Sequence, residues 1–258
     1  MPKINVFCKD NGWLFDDLKR EIASFGAIAS KKPLKNADAW ICVRESEAHL
    51  VPDKRRCLLQ VHDVKGKTPS DFGQYSFVHN YQKRLLGYNG LVLPIGSREI
   101  PSSPLPKKPT IGFFCKEYGN LKRSDMFADA VMIASYKYDF EVLIIGDNLS
   151  HIEKIGKYEI RGANPADYSR ITALVTCSVS PIIPLSAYEA LAAGRAVIST
   201  PREWPFDSDM IFTGKNENEI ADLIGLVVSK NKIYNSFRPF SRQYWAKRQY
   251  QEALKLCK

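Results

Sequence analysis

A chain of 258 residues with 45% hydrophobic and 25% charged residues has a globular composition and enough length for one large domain or two compact ones. No apolar run approaches the ~20 residues needed to cross a bilayer, so an integral membrane protein is not expected. Lys+Arg of 37 against Asp+Glu of 28 leaves +9, of which residues 1–109, with 18 basic and 11 acidic residues, carry +7. A domain-scale excess of this kind gathers polyanions such as nucleic acid or acidic lipid surfaces. The start MPKINVFCKDNG lacks the basic, apolar and small-residue order of a secretory leader. Six cysteines lie far apart without a C-x-x-C pair and read as reduced thiols, which points to a cytoplasmic location. Neither they nor the four histidines have metal-ligand spacing, so neither a metal nor another cofactor is implied.

Taken in chain order, strand-like runs occur at INVFC (4–8), AWICV (39–43), CLLQV (57–61), YSFVH (75–79) and LVLP (91–94). Between the first two, Leu14, Leu18, Ile22 and Phe25 repeat at helical spacing, giving a βαβ unit and favouring a parallel sheet. Pro101, Pro104, Pro106 and Pro109 break regular structure, and 101–109 reads as a linker between a first domain, 1–100, and a second, 110–258. After it come a strand at 110–115, a helix near 124–136, a strand at 141–146, a short helix near 165–171 and a strand at 173–177. A helix near 186–193 and a strand at 196–200 follow. The aromatic and basic stretch from Tyr234 to Lys258 reads as helix, broken at Pro239 and crossing back toward the first domain.

The run SPIIPLSAYEALAAGRAVIST (180–200) carries the most information. Ser186 with Glu189 forms a capping-box pattern, and Gly194 supplies a left-handed stop. A helix starting at the carboxyl ends of parallel strands makes an anion site.

This run resembles the donor-site signature of retaining GT-B glycosyltransferases, especially glycosyltransferase family 4. The signature has two glutamates eight positions apart, the second followed by Ala and a Gly-x-x-Val-Ile turn. Glu189-Ala190 and Gly194-Arg195-Ala196-Val197-Ile198 match, while Pro181 stands in the first glutamate's place. The resemblance assigns the donor ribose to Glu189, with Leu185 and Ser186 beside it. In FFCKEYGNLKRSDMF, Lys116 and Lys122 occupy places comparable to the family's diphosphate-gripping cations, with Arg123 as a substitute for the lost arginine fork. EVLIIGD and YEIRGANPADY are similar to the family's nucleotide-pocket segments, which adds Gly146, Gly162 and Ala163. QVHD places His62 and Asp63 as catalytic candidates near the reacting sugar, and VHNYQKRLLGYNGLVLPIG resembles the segment closing the first domain. The likeness covers roughly residues 57–200 and implies an α/β GT-B architecture of two Rossmann-like domains.

The implied activity is a nucleotide-sugar-dependent hexosyltransferase, UDP-sugar in particular, working with retention. The +7 on the first domain suggests an anionic acceptor. Double-stranded DNA with hydroxymethylated bases is favoured over an acidic lipid or envelope polysaccharide, because no helix there joins basic residues to a broad apolar face. Lys31-Lys32, Lys54-Arg55-Arg56 and Lys83-Arg84 are the acceptor-side clusters. A GT-B-like module that binds nucleotide or nucleic acid without transfer stays open, as does, more distantly, a nucleotide-sugar epimerase.

Overall fold

The computed structural model describes residues 1–9, 14–62, 69–101, 103–116, 120–180, 183–232, 234 and 240–257. The chain divides into two compact units, Met1–Ile95 with Phe240–Lys258, and Gly96–Pro239.

In the first unit, strands β1 (Ile4–Phe7), β2 (Ile28–Ser30), β3 (Ala39–Cys42), β4 (Cys57–Val61), β5 (Gln74–Phe77) and β6 (Leu91–Val92) form one sheet of order β2-β1-β3-β4-β5-β6. Every pairing is parallel, with Ile4 opposite Ala39 and Val61 opposite Phe77. Parallel strands covered on both faces read as unbroken apolar runs, and β1, β3 and β4 are buried along their whole length. Two polar residues interrupt them: Gln60 on β4, and Asn5 on β1, whose amide donates to the Ile28 carbonyl (2.7 Å) and accepts from Leu34 N (2.9 Å). Helix α1 (Leu14–Ala23) buries Leu18 and Ile22, as their spacing requires. Helix α2 (Asn80–Leu86) starts on a capping box from His79 and Gln82 and stops at left-handed Gly87.

In the second unit, β7 (Thr110–Lys116), β8 (Glu141–Asp147), β9 (Lys157–Glu159), β10 (Ala173–Thr176), β11 (Ala196–Ser199) and β12 (Ile211–Thr213) give a second all-parallel sheet, ordered β12-β11-β10-β7-β8-β9. Helices α3 (Ser124–Ser135), α4 (Leu185–Ala192) and α5 (Glu217–Lys230) accompany it. Phe113 of β7 stacks on Phe127 of α3, with ring centroids 4.3 Å apart. The segment at 165–170 is a 3-10 turn. Three short strands, β2, β9 and β12, and helix α5 add to the elements read from the sequence. Helix α5 rests on a good local signal: the Asn216 side chain accepts from Glu219 N (2.9 Å), and Ile220, Ile224, Val227 and Val228 are buried.

The Pro-rich stretch is held against the second unit by Arg195. This fully buried guanidinium donates to the Ser103 hydroxyl (2.6 Å), the Ser103 and Pro104 carbonyls and, through Nε, the Tyr168 carbonyl (2.8 Å). The final helix, α6 (Arg242–Leu254), belongs to the first unit. Its Trp245 and Ala246 are buried, and Gln249 donates to the Ser76 hydroxyl of β5 (2.6 Å). Pro239, read as a break, lies outside the described residues. Among the described residues the cysteines are thiols, no helix is long and apolar enough to cross a membrane, and no three His, Cys, Asp or Glu are grouped to hold a metal.

Candidate functional site

The carboxyl ends of the parallel strands β7–β12 lie along one edge of their sheet. Strand order reverses between β7 and β10, since the chain builds β8 and β9 on one side and β11 and β12 on the other. Loops diverging at such a point leave a crevice outside the strand ends, where open α/β sheets bind ligands. The loops after β7 and β10 border it and are joined where Val179 N donates to the Leu121 carbonyl (3.0 Å). Helices α3 and α4 follow these two loops, so their N-termini, with unsatisfied N–H groups and positive dipole ends, begin at this edge.

Cations gather at the same edge. Arg123 precedes α3 in the left-handed conformation, φ 51° and ψ 53°, which a side-chain-bearing residue rarely adopts. Arg202, beyond β11, donates to the Thr200 hydroxyl (2.9 Å) and the Ser178 carbonyl (3.2 Å), and burial pulls its pKa down to about 10. Burial pushes the Cys177 thiol, just past β10, up to about 12, while Arg123 and Arg202 both pull it down. Two guanidinium groups therefore lie within electrostatic reach of the end of β10. Lys116 ends β7 with its ammonium 2.8 Å from the Asp147 carboxylate, and this bond holds the Asp147 carboxyl below its usual range. Lys122 is half-buried in the loop after β7. The sequence reading missed Arg202, although an arginine two residues past the apolar run AVIST was a usable signal.

Helix α4 corrects the capping-box expectation. Pro184, at φ −63°, is the N-cap and the helix begins at Leu185, so Ser186 falls inside the first turn and no side chain caps it. Leu185 and Ser186 are half-buried. Glu189 points inward instead: its Oε1 accepts from Arg98 Nε (2.7 Å) and its Oε2 from the Tyr168 hydroxyl (2.9 Å), at only 5% exposure. Gly194 does take the left-handed stop, at φ 73°.

Gly146 is needed by packing, because a Cβ there would stand 1.6 Å from the Cys115 carbonyl oxygen. Gly162 is exposed, with no atom within 4 Å of a built Cβ, and Ala163 is half-buried beside it. A charge network frames this loop. Arg161 donates to Glu159 (2.6 Å) and to both Asp167 oxygens (2.6 and 2.7 Å), and Arg170 donates to Glu159 (2.6 Å) and Asp167 (3.0 Å). Arg170, with Arg161 and Lys157, holds the Glu159 carboxyl well below the usual range.

In the first unit, His62 follows β4 at the carboxyl edge of that sheet. Burial lowers its pKa to about 4 against a raising bond to the Val43 backbone, so the ring is neutral at physiological pH. Nε2 lies 3.1 Å from the Gln60 side chain, Phe15 meets the ring edge-on at 5.1 Å, and the His62 N–H donates to Glu45. Asp63 lies outside the described residues, as does Pro181. The basic clusters are not brought together. Lys54, Arg55 and Arg56 form an exposed 3-10 turn before β4, at the amino edge, whereas Lys31 and Lys32 follow β2 at the carboxyl edge. Lys83 and Arg84 fall in the last turn of α2.

Two parallel six-stranded sheets with flanking helices are the GT-B fold of glycosyltransferases. No family model and no curated protein matches the sequence. Among solved structures, the chain is similar to Anabaena HepE in complex with UDP-glucose, with a TM-score of 0.69 and 11% identity over 99% of this chain and 95% of that one. It is similar to the lipopolysaccharide outer core galactosyltransferase WaaB, with a TM-score of 0.63 and 12% identity over 99% and 98% of the two chains. A complex of S. aureus TarM that contains UDP gives a TM-score of 0.59 and 14% identity over 85% of this chain. The chain spans about half the length of TarM (52%) and of the GtfA/B complex chain (54%).

Proposed function

We propose that this chain is a glycosyltransferase that takes a hexose from a UDP-sugar and transfers it with retention to a hydroxyl acceptor. The observation that carries this reading is the switch-point edge of the second unit, where two helix N-termini meet Lys122, Arg123 and Arg202. Dipole ends and cations at one place favour the charge that builds on a departing nucleoside diphosphate. Lys116, in its pair with Asp147, stands at the same edge, Glu189 takes the ribose, and Gly162 and Ala163 flank the base. Presence of UDP in the HepE and TarM complexes supports the choice of nucleotide. On the acceptor side, the neutral imidazole of His62 is suited to orient a hydroxyl or receive its proton. Asp63 is assigned beside it from the sequence pattern alone.

For the acceptor, an envelope saccharide or lipid is now preferred to hydroxymethylated DNA. Phosphate contacts need cations gathered on one face. Lys54–Arg56 instead sit at the amino edge of the sheet, away from His62 at the carboxyl edge. The +7 of residues 1–109 keeps DNA in the test.

The test is incubation with UDP-glucose, UDP-galactose and UDP-N-acetylglucosamine and three acceptor classes: lipid-linked saccharide, free oligosaccharide and hydroxymethylated duplex DNA. Mass spectrometry reads the product. A hexose mass shift that Glu189→Gln lowers about tenfold is expected, the size of losing a charge-assisted hydrogen bond. Binding of UDP-sugar without transfer or hydrolysis would leave a non-catalytic binding module.

A further inference from the structure

We propose that Tyr168 and Arg98 are positioning residues that hold the Glu189 carboxylate correctly turned for the ribose hydroxyls of a bound nucleotide. This rests on the reading of the α4 edge as the nucleotide site.

The three side chains come from separate stretches of the second unit. Arg98 lies ahead of β7, Tyr168 is in the 3-10 turn after the Gly162 loop, and Glu189 is in α4. Each carboxylate oxygen has its own donor: the guanidinium Nε at 2.7 Å on Oε1 and the phenol at 2.9 Å on Oε2. Donors on both oxygens fix the plane of the carboxylate, and the charge-assisted bond from Arg98 adds geometric specificity. An ionised carboxylate is an acceptor only and offers about four lone-pair directions, which suits a vicinal diol, whose two hydroxyls both donate.

Tyr168 is itself locked. It is fully buried, Phe114 packs edge-on to its ring at 5.5 Å, and the Arg195 guanidinium donates to its carbonyl (2.8 Å). Arg98 is the more exposed partner, its side chain 30% accessible against 6% for Glu189, so the ion pair meets solvent on the arginine side. The same turn that holds Tyr168 carries Asp167, which anchors the Gly162 loop through Arg161. Base loop and ribose carboxylate are thus set by adjacent residues. A plain buried ion pair, present only for stability, has no need of this link.

The experiment measures binding of UDP, 2′-deoxy-UDP and 3′-deoxy-UDP to the full chain by calorimetry, with thermal unfolding in parallel. Wild type should prefer UDP to at least one deoxy analogue by about tenfold. Tyr168→Phe should cut that preference at least threefold, Arg98→Ala should do the same, and Arg98→Lys should restore part of it. Should Arg98→Ala fail to fold, Tyr168→Phe and Arg98→Lys carry the test. If the variants weaken UDP and its deoxy analogues equally, or wild type shows no preference, the positioning role is overturned while the nucleotide site stands. If wild type binds no nucleoside diphosphate, the reading beneath it falls as well.

Discussion

Gly146 and Gly162 look alike in the sequence, each a glycine near the end of a short apolar or mixed run, yet they do different things. At Gly146 the neighbouring strand leaves no room, with the Cys115 carbonyl oxygen 1.6 Å from where a Cβ would go. Gly146→Ala should destabilise the protein by about 3 kcal/mol in denaturant unfolding, as expected for a forced shift in a packed interior. Gly162 has open space around it and no left-handed backbone, so Gly162→Ala should leave the unfolding midpoint unchanged or raise it slightly. Weaker UDP binding by that stable variant would mark the loop as touching ligand. Glu189 shows the same limit of sequence reading. Its spacing from Ser186 fitted a cap, but the N-cap is Pro184, two residues earlier, and the partners that turn the carboxylate inward lie 91 and 21 residues away.

Whole strands and helices were easier to read than their chemistry. The runs at 57–61, 110–115 and 141–146 became β4, β7 and β8 because burial on both faces demands unbroken apolar sequence. Strands β2, β9 and β12 are only three residues each and partly exposed, too short to show a period. The network of Glu159, Arg161, Asp167 and Arg170 was equally hidden, since four charges near a turn usually face water. Its pH behaviour follows from the depressed Glu159 carboxyl. A group whose folded pKa lies below its unfolded value, about 4.3 for glutamate, contributes fully above that pH and loses its contribution as pH falls below it. Glu159→Gln should therefore cost about 1 kcal/mol at pH 7, a figure reduced by the partial exposure of both arginines, and the gap to wild type should close below about pH 4. Chemical denaturation across pH checks this.

At the scale of the molecule, the first unit is assembled from both ends of the sequence. Helix α6 supplies its fully buried Trp245, so Trp245→Ala should cost about 3–5 kcal/mol. Hydrogen exchange should locate that loss in Met1–Ile95 and α6, with Gly96–Pro239 protected as before. The bond from Gln249 to Ser76 spans 173 residues of chain, which carries a consequence for biosynthesis. During translation, the first sheet must wait for α6, which is made only after all the strands of the second unit. The second unit is therefore expected to close before the first, whose apolar sheet face stays uncovered until α6 has been made.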